Sequence, residues 1–435
     1  MIRPHARRIA EIPRKISPTE ISPRSNALSK SHEWIQYTKS IGLNLDETRR
    51  APARGDPPRL VDNRVGSLDN EALLRRPVNM ALQDRILQQI QCDPSSASDS
   101  AFNAVALELF AYQFACSPPY RRLCEAAGRD PSKVSSWKEI PAVPVTAFKW
   151  MTVSCRPAEE AAQIFRSSGT RRGGQHRSSH FLFDLELAES AILASFQRHV
   201  LPEAERMQMF ILTPSPDELP DSSLAFMMEA VRRKFGGPGS DYFLRAGRLE
   251  SNRLIAALKQ SIRPVLLLGT SFSFVHFLDD LENRGIRLRL PAGSRLMDTG
   301  GFKGRSREVP REEIYRLCER GIGIPEPFCV NEYGMSELSS QFYDKVAGKE
   351  SARGFIPPPQ VRTELFDAGT LLPAGEGEIG LLCHYDLANM DSAMAVLTED
   401  LGRRSGKGFE LIGRAPEAET RGCSLLIDAL LQGAP

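Results

Sequence analysis

The sequence lacks long apolar runs and any large excess of charge of one sign. Apolar runs such as Val265–Leu268 are far shorter than the roughly 20 residues that a membrane-spanning helix needs. The formal net charge of the 435-residue chain is only +2, so no overall positive field favours nucleic acid. These absences predict a protein without membrane spans or nucleic-acid partners, and the length allows two or three domains.

Common metal-binding and nucleotide-binding signatures are also missing. The eight cysteines are scattered, with no CxxC pair and no Cys/His cluster at zinc spacing. The glycine-rich stretch after Ser167 is not followed by GK[ST], which excludes a Walker loop, and His176 and His180 are not part of an HExxH pattern. Scattered free thiols are typical of a reduced cytoplasmic protein. Because no cysteine or histidine cluster is present, we expect no structural metal site.

The first 78 residues differ in composition from the rest of the chain. Up to residue 60 there are 12 Lys and Arg against 6 acidic residues, prolines recur, and no helical or strand period is sustained. Such a segment buries too little apolar surface to offset the entropy of ordering it, which predicts a disordered extension over residues 1–78. It lacks the apolar stretch of a secretory signal. Glu11 and Glu20 argue against a transit peptide, and a true start at Met80 is the alternative.

From residue 79 onward the apolar residues alternate between helical and strand spacing. Leu82–Ile90 and Phe102–Phe114 have helical spacing, and Asp184 is placed to cap another helix. Continuous apolar runs at Met207–Leu212 and Val265–Leu268 indicate buried strands. Strands followed by helices predict an α/β fold with mixed or parallel sheets.

Three local signals predict further boundaries. The prolines of Trp137–Phe148 predict an extended segment. Pro310 is expected to open a helix that ends at Gly321. Ala395–Gly402 reads as a strand that runs into an acidic turn.

Two segments have the composition of phosphate-binding loops. Ser167, Ser168, Gly169 and Thr170 combine hydroxyls with accessible backbone N–H groups, which can surround an anion. The second segment, Asp298–Arg305, reads DTGGFKGR. Its paired glycines, Gly300 and Gly301, allow a base or ribose to lie on the backbone, and Lys303 can meet a phosphate. A surface loop and a solvated basic turn are the respective alternatives.

The stretch Asn331–Asp344, NEYGMSELSSQFYD, places several nucleotide-binding groups close together. Tyr333 can lie against a base, Gly334 allows close approach of the backbone, and Ser336 can donate to a phosphate. Glu337 supplies a carboxylate of the kind that holds Mg²⁺ together with substrate phosphates. A strand end followed by a solvated turn is the alternative.

The last part of the chain carries a second set of candidate groups. Asp400 can accept both hydroxyls of a ribose, and Arg414 can bind ribose or phosphate. Arg421 lies beside Cys423 in the sequence and could favour its thiolate form, although a buried, unreactive thiol is the alternative.

An aromatic stretch, Phe272–Phe277, is compatible with an apolar substrate pocket. Phe272, Phe274 and His276 are the candidate lining residues. We expect His276 to line a pocket or the core and not to act as a catalytic base.

Taken in order, these segments resemble the adenylate-forming superfamily and, more narrowly, the acyl-protein synthetases of the bacterial luciferase fatty-acid reductase complex. The resemblance covers roughly residues 80–430 and lies in the strings IPAVPVTAFK, FRSSGT, LGTSFSFVHFLDDL, DTGGFKGR, NEYGMSELSSQFYD, TEDLG and GFELIGRAPEAETRGCSL. It implies an adenylate-forming domain over residues 79–402. A short C-terminal remnant over 403–435 would leave the mobile lid domain vestigial or absent.

The resemblance also implies a role for each candidate group. The loop from Ser167 to Thr170 would hold the ATP phosphates, Ser336 would contact the α-phosphate, and Glu337 would bind Mg²⁺. For the nucleoside, the implied residues are Gly300 and Gly301 beside the adenine, Tyr333 stacked on it, and Asp400 and Arg414 at the ribose.

The implied reaction is activation of a long-chain fatty acid by ATP, followed by transfer of the acyl group to a thiol. Cys423 would accept the acyl group within the chain, and an acyl reductase or carrier partner would then receive it. The superfamily's phosphate loop ends in lysine, whereas this one runs Arg171–Gln175. The superfamily's mobile C-terminal domain also carries a catalytic lysine, whereas the last lysine of this sequence is Lys407. Lys303, an arginine or a partner would then replace the missing lysine. An arylacetate-type CoA ligase and a non-catalytic nucleotide-binding protein are the alternatives.

Overall fold

In the computed structural model, the chain is described over residues 69–167, 177–300 and 309–415, with side chains from residue 80. All of these residues belong to one compact unit, Gly55–Pro435. No helix in the described ranges combines the length and the apolar character needed to cross a membrane.

The described chain begins with helices packed side by side. They are α1 (Asp69–Gln91), α2 (Asp99–Cys116) and α3 (Pro118–Ala126). α2 begins where the Ser98 hydroxyl accepts the Ala101 N–H. Both predicted helices are therefore found. The predicted domain boundary at residue 79 falls inside α1, and residues 1–68 of the predicted extension lie outside the described residues.

The segment Trp137–Phe148 is not extended throughout. The side chains of Ser136 and Glu139 form a capping box that closes a 3-10 turn at Trp137–Glu139. A two-residue strand, β1 (Val143–Pro144), follows, and a second 3-10 turn covers Val145–Lys149. The prediction failed because local capping supplies hydrogen bonds that the proline pattern does not reveal.

A six-stranded sheet with helices on both faces forms the centre of the unit. Before it come the hairpin β2 (Gln163–Arg166) and β3 (Ser179–Leu182) and the helix α4 (Leu185–Val200), which Asp184 caps as predicted. The sheet region then runs in chain order through β4 (Gln208–Leu212), α5 (Ser223–Phe235), β5 (Asp241–Tyr242), β6 (Leu244–Arg245), β7 (Arg248–Leu249), α6 (Ser251–Lys259), β8 (Val265–Thr270), α7 (Ser271–Asn283), β9 (Arg295–Thr299), α8 (Arg311–Ile322), β10 (Cys329–Tyr333) and β11 (Phe342–Tyr343).

The strand order is β11-β10-β9-β8-β4-β5, and every pair is parallel except β10–β11. Alternate residues of the four central strands, β4, β8, β9 and β10, enter two separate cores. Phe210 and Leu267 pack with α6, α7 and α8, whereas Met209 and Leu268 pack with α4 and α5. Burial on both faces explains the continuous apolar runs of β4 and β8. The predicted α/β fold with parallel strands is confirmed.

Helix α8 continues one residue beyond the predicted end at Gly321. Gly323 has φ +76°, and its N–H donates to the carbonyl oxygens of Cys318 and Glu319. The left-handed residue that ends the helix is therefore Gly323 and not Gly321.

A five-stranded sheet follows, made of β12 (Val361–Phe366), β13 (Ile379–Asp386), β14 (Ala395–Ser405), β15 (Gly408–Arg414) and the earlier β1. β14 lies between β1 and β13 and also pairs with β15, with a register shift at Leu401/Gly402. The predicted acidic turn is thus part of a long strand. The predicted boundary at 402/403 also falls inside β14, so residues 403–414 belong to this sheet.

Candidate active site

The predicted phosphate loop closes the β2–β3 hairpin. Beyond the last pair of the ladder, the Ser167 N–H donates to Ser178 O and the Ser178 N–H donates to Ser167 Oγ, both at 3.1 Å. Arg177 donates to Ser167 O at 2.5 Å and to the Asp221 carboxylate at 2.7 Å. The two ends of the loop are therefore held together. Ser168, Gly169 and Thr170 lie outside the described residues.

The loop end of this hairpin contacts the predicted metal-binding segment. The Ser178 hydroxyl donates to Glu337 Oε1, and His180 Nδ1 lies 2.9 Å from Ser336 O. A carbonyl oxygen only accepts, so this contact places the His180 proton on Nδ1. Glu337 and His180 are both buried, and Ser336 is half-buried. The structure thus brings together two predicted motifs that lie far apart in the sequence.

Burial shifts the pKa values of both titratable side chains in this contact. It raises the pKa of Glu337, while the Ser178 hydroxyl and the charges of Lys149 and Arg414 oppose the rise. Burial also lowers the pKa of His180 to about 4, so the ring is neutral near pH 7. Its Nε2 atom is buried without a partner among the described residues.

The surroundings of Glu337 fit a magnesium ion that shares its ligands with a nucleotide. Within the described residues there is no group of three His, Cys, Asp or Glu side chains able to hold a metal alone. A single buried carboxylate beside the predicted phosphate loop matches the usual protein contribution to Mg²⁺, since phosphates and waters complete its oxygen shell.

Three of the predicted nucleoside residues also come together. The Tyr333 hydroxyl, at the end of β10, donates to Asp400 Oδ2 at 2.9 Å. Arg414 faces Asp400 across the β14–β15 pair, with Nε 3.4 Å from Oδ1. This contact joins the end of the six-stranded sheet to the five-stranded sheet.

The ring of Tyr333, which is predicted to stack on adenine, is covered by other side chains in this structure. Its side chain is almost fully buried, and four aromatic rings have centroids within 6 Å of its own; they are those of Phe342, Phe355, His384 and Phe409. The position was predicted from an aromatic residue beside a glycine, a pattern that core packing satisfies equally well. The hydroxyl, through Asp400, is the part of Tyr333 that is directed at the candidate site.

Two of the candidate nucleotide-binding glycines, Gly300 and Gly334, lie within the described residues, and their backbones differ in what surrounds them. Gly300 has φ +71° and open space where a Cβ would stand, so the backbone there is accessible to a flat ligand. At Gly334 a Cβ would lie 2.5 Å from Glu332 Oε1, so a larger residue there would displace the Glu332 carboxylate. Gly301 and Lys303 lie outside the described residues.

The predicted substrate residues on α7 do not form one surface. Phe274 is completely buried among the core residues that pack against β4 and β8, and this packing accounts for its presence. Phe272 is half-buried and His276 is exposed, with ring centroids 6.5 Å apart. Phe274 is therefore corrected to a core residue. The candidate acceptor Cys423 lies outside the described residues.

Sequence reasoning missed Ser178 as the partner of Glu337 and did not assign His180 to the site. It also missed Glu332, whose carboxyl accepts the Thr299 hydroxyl and whose pKa is raised by burial, with Asp298 adding to the rise, to about 7. The only signal was position, because Ser178 follows the glycine-rich loop and Glu332 precedes Tyr333.

Two curated relatives resemble the chain over most of its length. Both are long-chain-fatty-acid–luciferin-component ligases. The one from Vibrio harveyi is 22% identical over 331 residues, covering 73% of this chain and 84% of the relative. The one from Aliivibrio fischeri is 22% identical over 342 residues, covering 75% and 87%.

Solved structures show the same fold. The open conformation of 2-hydroxyisobutyryl-CoA ligase, in complex with 2-HIB-AMP and CoA, superposes with a TM-score of 0.54 at 15% identity, covering 75% of each chain. The same enzyme in the postadenylation state gives 0.53 at 17% identity, covering 75% of this chain and 70% of that one.

The sequence profile described as acyl-protein synthetase, LuxE, matches residues 78–431. The family resemblance and the adenylate-forming fold expected from the sequence are confirmed. The chain therefore belongs to the acyl-protein synthetase, LuxE family, and is an AMP-forming acid–thiol ligase.

Proposed function

We propose that the chain uses ATP and Mg²⁺ to convert a long-chain fatty acid to its acyl adenylate, and then transfers the acyl group to a thiol. The names of the two relatives support the choice of acid. The observation that carries the proposal is the contact of Ser178 and His180 with Glu337 and Ser336, which joins the base of the serine- and glycine-rich loop to the carboxylate.

In the first step a carboxylate oxygen of the acid attacks the α-phosphorus of ATP, and the bond to the pyrophosphate oxygen breaks. The loop that begins at Ser167 would hold the phosphates, while Asp400 and Arg414 would orient the ribose. Glu337 would hold the magnesium ion, which when bound neutralises charge on the phosphate oxygens.

In the second step a thiolate attacks the acyl carbon and AMP leaves, which gives the thioester. We propose Cys423 as the acceptor within the chain and an acyl reductase or carrier protein as the next acceptor. Lys303 is proposed to take the place of the superfamily's catalytic lysine. The seven cysteines within the described residues form no disulfide, which supports a proposed cytoplasmic location.

The decisive experiment is acid-dependent exchange of labelled pyrophosphate into ATP, with fatty acids of increasing chain length and with phenylacetate. We expect exchange with long-chain acids, abolished by EDTA. Selective exchange with phenylacetate, with the acyl group released on CoA, would favour an arylacetate CoA ligase. ATP binding without any acid-dependent exchange would show a non-catalytic protein.

The acceptor is tested with radiolabelled fatty acid after the adenylate has formed. We expect hydroxylamine-sensitive label on the protein, lost in Cys423→Ser while pyrophosphate exchange remains. Label that persists in Cys423→Ser would exclude this acceptor without affecting the first step.

A further inference from the structure

The loop between β13 and β14, residues 387–394, lies against the backbone of the candidate metal-binding segment. Its Asn389 side chain is buried, and each end of the amide has a partner. Asn389 Oδ1 accepts the Ser339 N–H at 2.9 Å, and Asn389 Nδ2 donates to Glu337 O at 2.9 Å and to Ala393 O at 3.1 Å. One side chain therefore fixes the backbone on both sides of Leu338.

Regular secondary structure does not fix this backbone. Residues 334–340 lie between β10 and β11 outside any helix or strand, and a turn closes when the Leu338 N–H donates to Met335 O at 3.2 Å. Buried backbone groups in such a segment need side-chain partners. Asp386 supplies a second one, because its carboxylate accepts the Ser340 N–H and hydroxyl, both at 2.8 Å.

The 387–394 loop is in turn attached to α2. Gln113 is fully buried and donates to Asn389 O at 2.8 Å and to Met390 O at 3.0 Å, while its Oε1 accepts the Met394 N–H at 3.1 Å. The backbone of Asn389 is thus anchored to α2, behind the side chain that contacts Glu337.

We propose that Asn389 is a positioning residue that holds the backbone of Glu337 and so directs its carboxylate at a cation bound with the nucleotide. The inference rests on the proposed role of Glu337 in the function above. Partners that orient a metal-binding side chain change metal affinity when they are removed, by about 10- to 100-fold. A residue that only stabilises the fold would change the amount of folded protein and leave that affinity unchanged.

The test is calorimetric binding of α,β-methylene-ATP to the full chain, in Mg²⁺ and in EDTA. The ratio of the two affinities is the metal-dependent gain. We expect Asn389→Ala to reduce this gain by about tenfold or more and to leave binding in EDTA unchanged. Gln197→Ala is the matched control, because the Gln197 amide likewise holds two backbone carbonyls, of Leu201 and Ala204, away from the site.

A double-mutant cycle with Glu337→Gln separates the possible outcomes. If Asn389 acts through Glu337, the double variant has the same metal-dependent gain as Glu337→Gln alone. The inference would be overturned if Asn389→Ala kept the full metal-dependent gain. It would also be overturned if the losses of that gain in the two single variants added in the double variant. If Glu337→Gln itself keeps the full gain, the proposed metal site fails and the inference with it.

Asn389→Asp provides a second variant if the alanine protein does not fold. It keeps the acceptor for the Ser339 N–H and removes the donor to Glu337 O, so the same loss of metal-dependent gain is expected. A folded Asn389→Asp protein with the full gain would contradict the inference.

Discussion

Two buried carboxylates, at the end of β10 and in the loop after it, have similar partners and different surroundings. Glu332 accepts the Thr299 hydroxyl and Glu337 accepts the Ser178 hydroxyl. Near Glu332 the negative charge of Asp298 adds to the effect of burial and the pKa reaches about 7. Near Glu337 the positive charges of Lys149 and Arg414 oppose the rise of the pKa.

The difference indicates which carboxylate is suited to a cation. A metal ligand must be deprotonated, and positive charge beside Glu337 favours its ionised form, whereas the charge of Asp298 disfavours that of Glu332. Glu332 also lies against Gly334, where a Cβ would displace its carboxylate. We therefore propose a structural role at the strand end for Glu332 and a chemical role for Glu337.

The largest expected effect separates the two by activity. Glu337→Gln should lower acid-dependent pyrophosphate exchange by about a hundredfold or more, because the charge that would hold the cation is lost. Glu332→Gln, the matched control, should stay within about threefold of the wild type, since the buried neutral form is nearly preserved. Thermal unfolding of both variants checks that they fold. Equal losses of exchange in the two variants would contradict the assignment.

The next largest effect is on stability, where Glu332 is expected to cause a pH dependence. The folded-state pKa of Glu332 lies above its ordinary value of 4.5, so the wild type loses stability as the pH rises from 4.5 through about 7. Glu332→Gln has no such loss. The unfolding free energy of Glu332→Gln minus that of the wild type should therefore increase by about 3 kcal/mol between acidic pH and about pH 8.

Urea unfolding at several pH values measures this difference. Burial lowers the pKa of His180 to about 4 and that of His384 to about 3, so these neutral histidines stabilise the fold with the opposite pH dependence. Both proteins contain them, and their contribution cancels in the difference. A difference that does not vary with pH would show that Glu332 titrates normally.

The sequence predicted the fold well where the signal is local. Strands β4 and β8 were predicted because burial on both faces requires continuous apolar runs, and α4 because Asp184 caps it. The order of the glycine, hydroxyl and carboxylate motifs predicted the family. Helix ends and turns were less certain, as at Gly323, because neighbouring glycines compete for the same role.

Contacts of the site were predictable only in part. Ser178 and Glu337 lie 159 residues apart in sequence, and Asn389 lies 52 residues from Glu337, so no local pattern marks Ser178 or Asn389. Tyr333 shows the converse limit. Its sequence context suits a nucleotide, yet the five-stranded sheet supplies aromatic side chains that cover its ring.

The smallest effect removes the hydroxyl donor from each carboxylate in turn. In Ser178→Ala the pKa of Glu337 should rise further, because its ionised form loses a hydrogen bond. Exchange depends on the ionised form, so the acidic limb of its pH profile should move to higher pH, with a loss of a few-fold at slightly acidic pH. Near pH 8 the rate should be close to that of the wild type.

Thr299→Val is the matched change at Glu332. It removes the hydroxyl that donates to the carboxyl and should cost about 1 kcal/mol of stability, while the acidic limb of the exchange profile stays in place. The two profiles and two urea titrations distinguish a chemical from a structural carboxylate. If Thr299→Val moves the acidic limb as far as Ser178→Ala does, the two carboxylates titrate as one coupled unit, and the division of roles between them fails.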